Sequence, residues 1–236
     1  MTLFADALAW LADGTNWTGT GSIPTRATQH LAVTAIALAL AALIAVPLGI
    51  LVGHTRRGRL LTIALAGAGR AIPTLGLLTL LGLALGIGAS APVIALVVLA
   101  IPSLLAGCAA GVRGVDPATV DAARATGLTE LQVLTRVELP LAAPVVVGAL
   151  RAATLQVVAT ATLAAYTADL GLGRYLFTGL KSRDYGEMLG GAVLVTALAL
   201  ALEIALAALH RAAARRARPD TAPRRTRRVA TLEGHR

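Results

Sequence analysis

Five residues within long apolar stretches have side chains or backbone properties suited to the passage of a solute. They are Arg70, Pro73, Gln156, Thr160 and Tyr166. Polar or ionisable groups inside a membrane normally face the interior of a helix bundle or a water-filled cavity. We therefore predict that these residues line a translocation pathway. Other interpretations stay open, because Gln156 and Thr160 can hold helices together and Tyr166 can anchor at the membrane surface.

Covalent chemistry has little support in this sequence. The single cysteine, Cys108, lies within an apolar run, and the four histidines are scattered singly. The pattern GxxxxGK[ST], which forms a phosphate-binding loop, is missing from the chain. We predict no catalytic residue, no metal site and no cofactor on this chain, and hence a protein that is not an enzyme. Two further ionisable residues, Arg151 and Glu203, can pair within the bundle.

The composition is that of a membrane protein. Of 236 residues, 56% are hydrophobic and only 14% are charged, and the mean hydropathy is +0.75. The net charge of +9 comes largely from arginines in short clusters between apolar runs and near the C-terminus. Because no aromatic side chains alternate with these arginines, they indicate membrane topology rather than binding of nucleic acid.

A spanning helix needs about 20 mostly apolar residues, and five segments meet this condition. They are residues 28–53, 60–85, 92–112, 141–167 and 187–210. The predicted fold is therefore an all-α, multi-pass helical bundle in the plasma membrane. The second segment is interrupted by Gly67, Gly69, Arg70 and Pro73, so it is either one kinked helix, which we favour, or two shorter helices that would bring the number to six.

The distribution of arginines predicts the orientation. The basic clusters after the first and third segments and at the C-terminus lie on one side, which we assign to the cytoplasm. Residues 1–27 are then an external segment, with a short surface helix within 1–15, and residues 28–210 form the transmembrane domain. Residues 211–236 are predicted to be a basic, disordered cytoplasmic tail. All seven aromatic residues fall in segments assigned to the outer side.

A polar loop at 113–140 carries signals for two helices and a turn. Asp116 and Pro117 favour the start of a helix, and Gly127 suits a turn that requires positive φ. Thr129, with Gln132 three residues later, predicts a capping box that opens a second helix. We expect Pro140 to limit that second helix.

The same loop resembles the cytoplasmic loop of bacterial ABC importer permeases. Their pattern is Glu-Ala-Ala, three residues, Gly, nine residues, Ile, one residue, Leu-Pro. The matching residues here are Asp121, Ala122, Ala123, Gly127, Val137, Leu139 and Pro140. Asp121 replaces the usual Glu and Val137 replaces Ile, so the charge and the branched apolar character are kept. The resemblance implies that this loop contacts an ATP-binding subunit, which would hold ATP and Mg²⁺ itself.

Further segments resemble the permeases of osmoprotectant importers. The resemblance covers most of residues 28–210 and is carried by 45–53, 71–88, 136–167 and 171–180. It implies the type I importer permease fold and transport of glycine betaine, choline or carnitine. It also implies an extracellular substrate-binding protein and a second permease copy or homologue as partners. Aromatic faces hold quaternary ammonium ions best, and their scarcity here suggests that selectivity resides in the binding protein.

Two alternatives stay open at this stage. One is an ABC importer permease for another small solute, because the sequence does not display a specificity site. The other is an ion-coupled secondary transporter or a channel. Secondary transporters often contain paired inverted repeats with broken helices in both halves, whereas only one half of this chain has an interrupted segment.

Overall fold

The computed structural model of the chain describes residues 2–217, without the side chains of Thr2, Arg70, Arg216 and Ala217. Within this range the regular elements are all helical. The α-helices are α1 (Thr2–Ala12), α2 (Ile23–Thr55), α3 (Arg59–Ala71), α4 (Thr74–Leu85), α5 (Ser90–Arg113), α6 (Pro117–Ala125), α7 (Glu130–Val133), α8 (Leu139–Ala161), α9 (Gly173–Ser182) and α10 (Tyr185–Ala217). This confirms the predicted all-α fold.

Four helical segments of the described chain are long and apolar enough to cross a membrane. They are Ile23–Thr55, Ser90–Arg113, Glu130–Tyr166 and Tyr185–Arg215, and the number is five if the bent pair α3 and α4 counts as one span. The first begins five residues before the predicted start at 28, because Ser22 is extended at the N-cap and Pro24 fits the first helical turn. The last predicted segment, 187–210, belongs to α10, which continues past residue 210 to Ala217. Residues 218–236 lie outside the described chain.

The second predicted span is broken rather than gently kinked. Helices α3 and α4 meet at 81°, with Ile72 and Pro73 both in extended conformations between them. Proline disfavours helical geometry in the residue before it and lacks the N–H that would continue the ladder. Our preference for one kinked helix is therefore corrected to two helices that meet at a sharp break.

The core of the bundle is formed by α2, α5 and α8, which pack through small residues. Ala37, Ala41 and Ala45 on α2 are fully buried. A Cβ atom at Gly49 would lie 2.7 Å from the Cβ of Cys108 on α5, so no larger residue fits there. Small residues of this kind let helix backbones approach closely in membranes.

A continuous helix from residue 130 to 166 replaces the predicted stop at Pro140. Helix α7 leads through a π-helical turn (Leu134–Glu138) into α8, which ends in a 3-10 turn (Thr162–Tyr166). In the π turn the Leu139 N–H donates to the Leu134 carbonyl, five residues back. This wider turn lies directly before Pro140, at the point where a proline would clash with a regular helical ladder. The prediction that Pro140 ends the second helix was wrong for this reason.

The two ends of the bundle differ in composition. At one end, which we call the coupling end, lie α6, α7 and the last turns of α2 and α5. At the other, which we call the aromatic end, lie Trp10, Tyr166, Tyr175 and Phe177. The predicted N-terminal helix is present as α1, and its Trp10 packs edge-on against Tyr175 of α9, with ring centroids 4.9 Å apart. Helix α9 had no counterpart among the predicted elements.

Candidate functional site

At the coupling end, α6 begins and ends as the sequence predicts. The Asp116 Oδ1 accepts a hydrogen bond from the Ala118 N–H at 3.0 Å, and Pro117 occupies the first turn. The turn after α6 contains Gly127 at φ +86°, in the left-handed region that glycine favours. Both predicted helix boundaries are confirmed.

The capping box of the second helix is also present. The Thr129 N–H donates to the Gln132 Oε1 at 2.9 Å, and the Gln132 N–H donates to the Thr129 Oγ1 at 3.4 Å. These two bonds satisfy backbone groups that would otherwise lack partners at a helix start. The turn between α6 and α7 is thus fixed from both sides.

The loop at 113–140, which contains α6 and α7 and which we call the α6 module, packs with one face on the transmembrane core. A cluster of buried apolar residues joins the loop to the spans: Val112, Val115, Val120, Val133 and Ala142. Of the residues that match the permease pattern, Ala123 and Leu139 pack against this cluster, and Val137 is half-buried. A displacement of α6 would therefore displace α5 and α8 as well.

The opposite face of α6 is free in the described chain. The remaining pattern residues, Asp121, Ala122, Gly127 and Pro140, are exposed. The alanine leaves a shallow surface that allows close approach of another protein. The module therefore has a fixed inner face and an open outer face.

A charged group lies along the outer side of the module. Arg124 donates to both oxygens of Glu130, at 2.9 and 3.0 Å, and to Asp121 Oδ1 at 3.1 Å. The hydrogen bonds to Glu130 raise the pKa of Arg124. Because all three groups are exposed, this group orders the surface more than it stabilises the fold.

Sequence reasoning missed a buried pair beneath this surface. Glu138, in the π turn, has a side chain that is only 1% exposed, and its Oε2 pairs with the Nδ1 of His54 at the end of α2. The other ring nitrogen of His54, Nε2, lies 3.4 Å from Glu130 Oε2. The one available signal was a glutamate directly before Leu139 and Pro140, where the chain becomes apolar.

Of the five predicted pathway residues, Tyr166 lines open space. Its side chain is 55% exposed, and its ring centroid lies 5.9 Å from that of Phe177. Two cavities of about 500 and 630 Å³ flank this ring, and Ala165, Tyr166 and Arg174 line both. Helix α4 provides one wall of the first cavity through Thr79, Gly82 and Leu83.

The other pathway candidates lie apart from this cavity. Gln156 accepts a hydrogen bond from Ser103 of α5 at 3.1 Å and so joins two helices. Thr160 donates to the Gln156 carbonyl within α8 itself. Pro73 is exposed at the start of α4, and the side chain of Arg70 lies outside the described part of the chain. The structure therefore does not bring together the four of these residues whose side chains it describes.

Arg151 and Glu203 form an ion pair that joins α8 to α10. Arg151 Nε donates to Glu203 Oε2 at 2.8 Å, and a second guanidinium nitrogen contacts Oε1. An unpaired charge within a span is unfavourable, and pairing offsets that penalty. These two residues have a structural explanation that needs no role in the pathway.

A protein-family comparison decides the classification. The model for "Binding-protein-dependent transport system inner membrane component" matches residues 45–219, from the second half of α2 to the end of α10. The chain belongs to this family. It is thus a multi-pass membrane protein and the transport subunit of an ATP-driven importer, which also removes the ion-coupled secondary transporter from consideration.

Two curated relatives of the permease match over most of their length. The "Choline transport system permease protein OpuBB" of Bacillus subtilis (strain 168) is 32% identical over 194 residues, covering 82% of this chain and 89% of that protein. The "Carnitine transport permease protein OpuCB" of Listeria monocytogenes is 35% identical over 182 residues, covering 77% and 84%. The resemblance seen in the sequence is confirmed.

Solved structures agree on the fold of the permease. The inward-facing MetNI methionine ABC transporter contains a chain with a TM-score of 0.69 and 25% identity, covering 79% of this chain and 93% of that one. An amino acid ABC transporter with histidines gives a TM-score of 0.63 at 19% identity, which supports the fold alone. The predicted type I importer permease fold is confirmed.

Proposed function

We propose that this permease imports quaternary ammonium osmoprotectants, namely glycine betaine, choline or carnitine, and that a separate ATPase drives it by docking on the exposed face of α6. The observation that supports the docking site is the α6 module itself, with one face on the core and the other open. The family likeness to choline and carnitine permeases supports the substrate class.

The helix from residue 130 to 166 suits the transmission of motion. It runs without a break from the turn beside α6 to Tyr166 at the aromatic end. A displacement of α6 would therefore move both ends of α8 as a unit. Such rigid-body movement is one established form of alternating access.

The orientation follows from the positions of the arginines. Arg56, Arg57, Arg59, Arg113, Arg124 and Arg136 all lie at the coupling end or in its loops. The positive-inside rule then places this end in the cytoplasm, together with the C-terminus. The N-terminus and the aromatic end face outward, where a substrate-binding protein would deliver the solute between two permease copies. ATP and Mg²⁺ would reside in the ATPase.

A low-affinity passage fits the chemistry of the aromatic end. A quaternary ammonium group has no proton to donate, and aromatic faces attract it. Tyr166 and Phe177 provide one such pair beside the two cavities, and Arg174, which pairs with Asp169, lines both cavities. A single exposed pair suits transient contact, whereas selective capture would belong to the binding protein.

Reconstituted transport tests this proposal. The permease, its ATPase and its binding protein are placed in proteoliposomes, and uptake of radiolabelled glycine betaine and choline is measured with and without ATP. We expect uptake that requires ATP and the binding protein. Uptake of either solute by the permease alone, driven by an ion gradient, would contradict it.

Likeness to the methionine transporter favours a second candidate, an amino-acid importer. The same vesicles distinguish the two through competition. Excess unlabelled carnitine should suppress betaine uptake, whereas excess methionine should not. The reverse pattern would replace our substrate class and keep the transport mechanism.

A further inference from the structure

A chain of five charged or ionisable side chains runs from the surface of α6 to the interior of the bundle. Asp121 and Glu130 are joined by Arg124, Glu130 faces His54, and His54 pairs with Glu138. The chain links four places: α6, α7, the last turn of α2 and the π turn before α8. No apolar contact is needed to connect the proposed docking surface with two core spans.

The inner end of this series of side chains, the pair of Glu138 and His54, lies at a free-energy cost away from water. Glu138 is 1% exposed and His54 is 15% exposed, and Leu139, the neighbour of Glu138 in the chain, packs against the apolar cluster of valines and alanine. Removing charges from water carries a penalty that their attraction often fails to offset, and apolar residues of similar size can be as stable. A buried ionisable pair beside an apolar cluster therefore points to a purpose other than stability.

The geometry indicates what that purpose is. Glu138 sits in a π turn, a local widening that is common at functional positions. His54 has a carboxylate on each side, because Glu138 contacts its Nδ1 and Glu130 lies near its Nε2. His54 thus bridges the root of α8 and the start of α7, which lies beside α6.

We propose that Glu138 and His54 are positioning residues for ATP-driven transport, because their pair fixes the angle of the α6 module relative to α2 and α8. A push on α6 then reaches both spans together instead of being absorbed by the loop. This inference rests on the proposed docking of an ATPase at α6. It assigns a role to two residues that the permease loop pattern does not specify.

A measurement on the permease alone tests the positioning. Cys108 is replaced by Ala, and spin labels are attached at Ala125→Cys on α6 and Leu43→Cys on α2, both exposed positions. Pulsed electron paramagnetic resonance then gives the distribution of distances between the labels. We expect Glu138→Gln and His54→Gln each to broaden or shift this distribution. Distributions equal to that of the parent protein in both variants would overturn the proposal.

A second measurement on the full complex tests the consequence for transport. Solute moved per ATP hydrolysed is determined for Glu138→Gln, His54→Gln and the double variant. We expect a fall of about tenfold in each, with ATP hydrolysis changed less than about twofold, and no additional loss in the double variant because the two residues act as a unit. Glu187→Gln, a half-buried carboxylate at the aromatic end, is the control and should keep the parental ratio.

The outcomes separate this inference from the proposed function. If the parent complex shows no ATP-driven uptake while the label distances still change, the proposed function fails and the positioning role stands. If the parent transports and both variants keep its solute-to-ATP ratio, the positioning role is wrong and the proposed function stands.

Discussion

The coupling end and the aromatic end of the bundle are constructed in opposite ways. At the coupling end, a helix, a glycine turn and a capped second helix sit on an apolar cluster and are joined by a chain of ionisable side chains. At the aromatic end, the broken span, a 3-10 turn and a short helix surround two open cavities. The coupling end is firmly packed at the place where an ATPase would dock. The aromatic end leaves space where a solute would pass.

This difference suggests a division of labour along one continuous helix. The segment from residue 130 to 166 begins in the fixed end and finishes beside the cavities. A rigid connection is useful only if its driven end does not yield and its other end has room to move. Changes at the coupling end should therefore affect coupling, and changes at the aromatic end should affect the handling of solute.

The largest effect is expected at the glycine turn. Gly127 has φ +86°, and its N–H donates to the Arg124 carbonyl at 2.9 Å. Proline fixes φ near about −65° and removes that donor, so Gly127→Pro should displace α6 and lower ATP-driven uptake by roughly tenfold or more. Uptake is measured in proteoliposomes, with the amount of inserted protein determined in parallel.

Gly127→Asn is the matched control for the turn. Asparagine tolerates the left-handed conformation better than other side chains, and a Cβ at this position meets no atom within 4 Å. We expect it to retain most of the uptake. Normal transport by Gly127→Pro would show that the turn is not a lever.

An intermediate effect, on stability, is expected between the two ends. Arg151→Ala leaves Glu203 without its ion-pair partner between α8 and α10, so this variant should be less stable than the parent protein. Thermal unfolding in lipid nanodiscs should show a clear drop in midpoint for this variant. The double variant Arg151→Gln with Glu203→Gln should recover most of the loss, because no unpaired charge is left. Equal stability of the parent and Arg151→Ala would contradict the pairing.

The smallest effect is expected at the aromatic end. Tyr166→Ala removes an exposed aromatic face worth about 1 kcal/mol to a passing cation, so half-saturation for uptake should rise about fivefold while the solute-to-ATP ratio is unchanged. Tyr185→Ala, an exposed tyrosine that does not line the two cavities, is the control. A change in coupling with unchanged half-saturation would reverse the contrast between the two ends.

Local signals in the sequence predicted the elements well. Hydropathy located the spans because each must satisfy its backbone within the membrane, and the caps at Asp116 and Thr129 predicted the starts of α6 and α7. Short-range chemistry decides these features. The seven residues of the permease pattern were likewise found in one module, although their contact with an ATPase stays a prediction.

Features that depend on tertiary contacts could not be predicted in this way. Pro140 does not end its helix because a π turn precedes it, and no simple pattern announces a π turn. His54 and Glu138 are 84 residues apart in the chain, so only packing of α2 beside α8 brings them together. Helix α9, with ten residues, is too short to be distinguished from a loop by hydropathy.

Cross-linking tests the central claim, docking of the ATPase at the open face of α6, most directly. The native cysteine, Cys108, is buried, so a maleimide-benzophenone probe can be placed selectively at Ala122→Cys, with Ile87→Cys, 96% exposed near the aromatic end, as the control. On illumination of the assembled complex, we predict a covalent adduct with the ATPase from Ala122→Cys and none from Ile87→Cys. Adducts from Ile87→Cys, with none from Ala122→Cys, would contradict the account.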